Sequence, residues 1–127
     1  MNVIDSSGWL EYFIDGKNAV FFAPVIEDIA NVIVPTIIIF EVFKRTLIEK
    51  NRENALEAVA MMYQGKVIDL DREIALIAAE LSFELKLPMA DSIILATARA
   101  NAAILWTEDE HFKELAGVKY IKKNLKP

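Results

Sequence analysis

The sequence predicts a three-layer α/β/α sandwich built on a short, mostly parallel central sheet. Three observations predict it. Five short runs are mostly apolar without clean alternation, as in strands covered on both faces. Segments with helical spacing separate these runs and supply the crossovers that parallel strands need. Hydrophobic residues make up 54% of the 127 positions, and a chain of this length hides roughly two-thirds of its surface on folding. There is no internal repeat, low-complexity stretch or linker rich in Gly, Pro or Ser, so one domain over residues 1–127 is expected.

The elements follow in order. Met1 to Ile4 reads as a buried strand, stopped by Asp5-Ser6-Ser7-Gly8. Trp9 to Ile14 reads as a short helix and Asp15-Gly16-Lys17-Asn18 as a loop. Ala19 to Ile29 is helical, with Pro24 either in its first turn or breaking it in two. Val32 to Val34 is a second strand, Thr36 is placed to cap, and Ile37 to about Asn51 is a long helix. Arg52 to Met62 is a further helix with Ala55, Leu56, Val59 and Met62 on one face, ended by Gly65. Val67 to Leu70 is a third strand. Asp71 caps a helix over Arg72 to Lys86, where Ile74, Ile77, Ala78, Leu81 and Leu85 keep helical spacing, and Pro88 opens another over Met89 to Asn101. Ala103 to Trp106 is the fourth strand, Asp109 to Leu115 a short helix, and Val118 to Ile121 the fifth strand.

Composition excludes several classes. Apolar content is too high for a disordered chain, yet the richest run, Val32 to Phe40, is interrupted by Pro35 and Thr36. A spanning helix needs about 18 or more consecutive apolar residues, so no membrane segment is expected. Met1-Asn2-Val3-Ile4-Asp5 has no basic region of a secretory signal. The mean hydropathy of +0.29 is high for such a chain, which suggests an apolar face covered by a partner. The absence of cysteine removes disulfides, thiolate zinc sites and cysteine nucleophiles, and makes the cytoplasm the default compartment. With 14 Lys+Arg against 19 Asp+Glu the net charge is −5. An acidic chain is no simple reader of duplex DNA, but it is compatible with an enzyme that meets a phosphodiester through a metal ion.

In open parallel sheets the ligand site lies beyond the carboxyl ends of the strands. Asp5 follows the first strand, Asp109 the fourth, Asp91 lies in the first turn of a helix, and Glu41 sits a turn into the long helix after the second strand. Each acid alone has a plain structural reading. Asp5 and Asp109 suit helix caps, and Asp91 suits a helix N-terminus. Glu41 suits a surface pair with Arg45 or Lys44, although its neighbours Ile37 to Phe40, Val42 and Phe43 imply a helix buried all round. Four at one sheet edge point further. Two carboxylates 4 Å apart repel by roughly 4 kcal/mol at an effective dielectric near 20, so such a cluster calls for a cation. Oxygen donors without His or Cys favour Mg2+ or Mn2+ over zinc. His111, the one histidine, reads as a solvated residue of the last short helix, and neither a serine-hydrolase elbow nor a glycine-rich phosphate loop is present. Lys119, Lys122, Lys123 and Lys126 read as a solvated basic tail, with contact to a nucleic-acid backbone as the other reading.

These residues resemble a known family. Val3-Ile4-Asp5-Ser6-Ser7 resembles the opening strand of a PIN domain, and Phe40-Glu41-Val42 its internal Glu. Ala90-Asp91-Ser92-Ile93-Ile94-Leu95-Ala96-Thr97-Ala98 is similar to the family's third acidic motif, and Leu105-Trp106-Thr107-Glu108-Asp109-Glu110-His111-Phe112 to its fourth. At this length the likeness is to VapC-type toxin ribonucleases. The resemblance implies that Asp5, Glu41, Asp91 and Asp109 hold one or two Mg2+ or Mn2+ ions, with the hydroxyls of Ser6 and Thr107 close by. It implies cleavage of RNA by a metal-activated water, a homodimer, and a small antitoxin covering the site. Lys44, Arg45 and Arg99 are weaker candidates for RNA phosphate contacts. Glu108 and Glu110 are either extra ligands or surface, and Trp106 is bulkier than the pattern suggests. A non-catalytic PIN-like module, or a small-molecule phosphohydrolase, are the alternatives. The latter lacks its usual Asp-x-Asp, since Ser6-Ser7 follow Asp5.

Overall fold

The structure, a computed structural model, describes residues 1–124. Lys126 of the basic tail lies outside them. Five strands, β1 (Asn2–Ile4), β2 (Val32–Pro35), β3 (Lys66–Ile68), β4 (Ile104–Thr107) and β5 (Val118–Tyr120), form one sheet in the order β3-β2-β1-β4-β5. Every pairing is parallel. Six helices flank it: α1 (Ser6–Phe13), α2 (Ala19–Glu27), α3 (Thr36–Glu49), α4 (Arg52–Met62), α5 (Arg72–Leu85) and α6 (Met89–Ala100). The helices pack in consecutive pairs, α1 on α2, α3 on α4 and α5 on α6. This is the α/β/α architecture expected from the sequence.

The chain order puts a switch point beside β1. From β1 the strands grow outward through β2 to β3 on one side, while β4 and β5 are added on the other. The connections leaving β1 and β4 run to opposite sides there, toward β2 and β5, and such a switch point opens a crevice at the carboxyl ends of the two strands. The floor beneath it is solid. Val3, Ile4, Val34, Trp9, Phe22, Ile38, Val42, Ile94, Leu105 and Phe112 are all fully buried, and each of the larger ones contributes about 1.5–3 kcal/mol by leaving water. Gly8 lets α1 lie this close, because a Cβ there would sit 2.6 Å from Ile4 and 2.7 Å from Phe22.

Several elements differ from the sequence expectation, each for a local reason. The first helix begins at Ser6 rather than Trp9, because Asp5 caps it directly, its Oδ1 accepting the Ser6 N–H at 2.8 Å. Pro24 neither opens nor breaks α2 but lies inside it. The carbonyl it leaves without a donor belongs to Val20, a solvent-exposed residue. That helix ends at Glu27, and a separate 3-10 turn covers Ile29–Asn31. Thr36 is the first residue of α3 and not its cap, which is Pro35 without a side-chain bond. The third strand stops at Ile68, and the helix expected from Asp109 shrinks to a 3-10 turn, Glu110–Phe112. Asp71 does cap α5, accepting from Ile74 N–H at 2.9 Å. Nor is α3 buried all round: Ile38 and Val42 face inward, whereas Phe40 is 60% exposed.

Candidate metal centre

Pairing of β1 with β4 builds the centre. Ile4 lies opposite Trp106, and the Asp5 N–H donates to the Trp106 carbonyl at 2.9 Å, so Asp5 leaves the sheet beside Thr107. The Thr107 hydroxyl then joins two acids. It donates to Asp5 Oδ2 at 2.8 Å and accepts the Asp109 N–H at 2.9 Å. The Ser7 hydroxyl adds a second donor to Asp5 Oδ2 at 3.2 Å and accepts the Glu108 N–H at 3.4 Å. The Ser6 hydroxyl stands 3.5 Å from Asp5 Oδ1. Asp5 is only 3% exposed and is fixed on both oxygens. Its cap role and its place in the cluster therefore coexist.

Asp91 enters from the first turn of α6, Glu41 from the second turn of α3, and Asp109 from the turn after β4. Asp5 and Asp109 are the acids that act on the other two. Burial pushes the Asp5 carboxyl up, and Asp109 adds to it against the hydrogen bonds from Thr107, Ser6 and Ser7. Burial also raises Glu41, with Asp5 and Asp109 adding repulsion and Ser6 opposing. Asp91 is pushed up to about 7, by burial first, then by Asp109 and Asp5, with His111 pulling the other way. Among the described residues no Lys or Arg forms an ion pair with any of the four. Glu41 Oε1 is buried with no hydrogen-bond partner at all. An orphaned carboxylate oxygen beside further acids calls for a proton or a cation, and the donor set fits a cation.

His111 is the residue that sequence reasoning missed. Its Nδ1 lies 2.8 Å from Asp109 Oδ1 and 3.2 Å from Asp91 Oδ2, so it is no mere solvated side chain. Donor atoms of Asp91, Asp109 and His111 all fall within 4.8 Å of one another. The available signal was its spacing of two from Asp109. The cap at Asp109, which accepts the His111 N–H at 2.9 Å, turns that spacing into contact.

Two clefts flank the acids. One of about 610 Å³ is lined by Asp5, Ser7, Glu108, Asp109, Glu110, His111, Lys122 and Lys123. The other, of about 350 Å³, is lined by Ser6, Glu41, Lys44 and Arg45 with Leu10, Phe40 and Ile48. Lys44 and Arg45 thus border the cluster without pairing to Glu41. Lys44 lies over the Phe40 ring at 5.8 Å and Arg45 pairs with Glu49 at 3.5 Å. Arg99 is not brought to the site. It lies in the last turn of α6, at the opposite edge of the sheet, and donates to the Ala116 carbonyl at 3.3 Å. Glu108 is buried and accepts from Asn18 Nδ2 at 2.9 Å, while the same amide group donates to the Lys122 carbonyl at 3.1 Å. Glu108 therefore braces the segment that carries Lys122 and Lys123, a role no sequence pattern announced. Glu110 is exposed. The bulk of Trp106 is used: its indole N–H donates to Asn2 Oδ1 at 2.8 Å and its ring packs on Phe21 at 5.2 Å.

Among the described residues no helix is long and apolar enough to cross a membrane. No curated protein sequence matches the chain. Solved structures do match it in fold. A toxin–antitoxin complex from Klebsiella pneumoniae superposes at a TM-score of 0.76 with 22% identity, covering 94% of this chain and 96% of that one. VapBC2 from Rickettsia felis, bound to a DNA fragment from its promoter, gives 0.74 at 15% identity over 95% and 97%. VapC20 of Mycobacterium tuberculosis, a Sarcin-Ricin loop cleaving toxin, gives 0.69 at 12% identity over 81% and 85%. The PIN domain family model matches residues 3–118. With that match over nearly its whole length, and with the four acidic motifs gathered at one sheet edge, the chain belongs to the PIN domain family.

Proposed function

We propose that this protein is a divalent-metal-dependent endoribonuclease and the toxin of a VapBC-type toxin–antitoxin pair, acting in the cytoplasm. The main support is the cluster of Asp5, Glu41, Asp91 and Asp109 with the unpartnered Glu41 Oε1, a site that no Lys or Arg of the described residues pairs with. A neighbour in fold that cleaves an RNA loop supports the substrate class.

Asp5, Glu41, Asp91 and Asp109 would hold Mg2+ or Mn2+. When bound, such an ion supplies charge neutralisation at a phosphodiester and makes a nearby water more acidic. The chain's own residues do the rest. Thr107 and Ser7 hold Asp5 Oδ2 in one direction, and Ser6 takes Oδ1, so the central ligand is set before substrate arrives. Lys122 and Lys123 in one cleft, and Lys44 and Arg45 in the other, place positive charge on either side of the acids. A single RNA strand laid across them would have its phosphates drawn from both sides while the acids face the central one.

The partners follow from the surface. A cleft of about 240 Å³ between α1, α3 and α4 has an apolar side of Leu10, Phe13, Ile14, Ala58 and Met61 and a polar rim that includes Glu49, Lys50 and Glu57, which suits an amphipathic segment of an antitoxin. Leu76 and Phe83 on α5 and Met89 on α6 are strongly exposed apolar residues, which suit the face of a second copy.

The test is cleavage of single-stranded RNA by the purified chain and by Asp5→Asn, with Mg2+, Mn2+ or EDTA. Metal-dependent cleavage by the wild type alone is expected. Equal cleavage by the variant, or cleavage that survives EDTA, sinks the reading.

A further inference from the structure

We propose that His111 is a direct ligand of the metal through Nδ1, together with Asp91 and Asp109, and that this nitrogen makes the site favour a first-row transition ion over Mg2+. The inference rests on the metal-dependent reading above and sharpens it.

Three features of the histidine carry it. The first is spacing. Nδ1 stands 2.8 Å from Asp109 Oδ1 and 3.2 Å from Asp91 Oδ2. Neighbouring donors around a six-coordinate ion with bonds near 2.1 Å lie about 3 Å apart, so the nitrogen stands from each carboxylate at the separation of neighbouring ligands, and all three donors fall within 4.8 Å of one another. The second is aim. Asp109 Oδ1 binds the His111 backbone N–H at 2.9 Å, which fixes the turn and presents the ring to the acids. That cap uses only backbone and would form with any residue at 111. The third is exposure. The His111 side chain is 57% exposed, so packing does not explain an imidazole here. What remains unexplained by fold is the ring itself, turned toward two carboxylates that lack any other cationic partner among the described residues.

The chemistry then sets the choice of ion. Mg2+ takes oxygen donors and keeps several waters, whereas imidazole suits the later transition ions best, and Mn2+, an oxygen-preferring ion with d electrons, is the least favourable and so the most stringent of them to test. A donor set of carboxylates alone would not discriminate in this way. If His111 instead only steadies Asp109 by a hydrogen bond, its loss should weaken every ion alike.

The experiment is calorimetric titration of Mn2+ and of Mg2+ into the wild-type chain and His111→Ala, with pulsed electron paramagnetic resonance of the Mn2+-loaded proteins. An unchanged melting curve checks that the variant is folded. Expected is a loss of Mn2+ affinity of about tenfold or more with Mg2+ affinity changed less than about twofold. A nitrogen coupling from imidazole should appear in the wild type and vanish in the variant. Mn2+ binding without nitrogen coupling, or equal weakening of both ions, overturns the inference and leaves the metal-dependent reading standing. Failure of the wild type to bind either ion overturns both.

Discussion

The two ends of the sheet are built from the same materials and treat charge in opposite ways. At the amino end, polar groups are bonded as they appear: Arg99 to the Ala116 carbonyl, Asn101 Nδ2 to the Thr97 carbonyl at 2.8 Å, and the Ile104 N–H to the Met1 carbonyl at 3.0 Å. At the carboxyl end, acids from β1, α3, α6 and the turn after β4 face one another, and one oxygen has no partner. Both ends rest on the same core, so the contrast is not one of folding quality. One end satisfies its polar groups within the chain, and the other leaves acids that raise their neighbours' pKa.

The contrast can be broken at the acids. Asp91→Asn should lower RNA cleavage at least about 100-fold, through loss of a ligand to the metal. The same change should leave the metal-free protein at least as stable, since it removes one of the mutually repelling charges. A variant that melts well below the wild type in EDTA would show that Asp91 is a structural acid. Thr107→Val comes next. The side chain is fully buried and holds Asp5 and the Asp109 N–H together. Leaving those groups unpaired costs about 1–3 kcal/mol, to be read from urea unfolding, and cleavage should fall with it.

Stability against pH sharpens the same contrast. The Asp91 carboxyl is pushed up to about 7, and Asp5 and Glu41 are raised too. Carboxyls of the unfolded chain titrate near 4. Between those values the folded state binds more protons than the unfolded state, so stability falls as pH rises. The metal-free protein should therefore melt lower at pH 8 than at pH 5, and a divalent ion should raise the melting temperature far more at pH 8. A flat profile in EDTA would mean that the acids do not load the fold. The smallest effect belongs to the other end. Arg99→Ala should change cleavage by less than about twofold, because its guanidinium lies away from the acids and an exposed hydrogen bond is worth little. A large loss would bring RNA to the amino end as well.

Much of this was legible in the sequence, for identifiable reasons. Short apolar runs locate parallel strands, and an acid directly after such a run must emerge at the carboxyl edge, as Asp5 does. What the sequence hid depended on contacts distant in the chain or on short local turns. Nothing near Asn18 predicts its bond to Glu108, because the partner is 90 positions away. His111 looked solvated because a helix was expected over Asp109 to Leu115, and helical spacing would have turned it elsewhere. The tight turn capped by Asp109 turns it inward. Phe40 and Glu41 share one apolar stretch, yet periodicity alone cannot say which of two adjacent residues faces solvent.

The bond between Thr107 and Asp5 joins positions 102 residues apart, and it has a bearing on timing. As the chain leaves the ribosome, β1 emerges first and waits as an edge strand until β4 has been made. A nascent chain that has reached α6 already carries Asp5, Glu41 and Asp91, but neither their fourth member nor the hydroxyl that joins them. The four acids and the hydroxyl that joins two of them are together only once β4 and the turn after it have been made, so the arrangement depends on the strand added on the far side of β1.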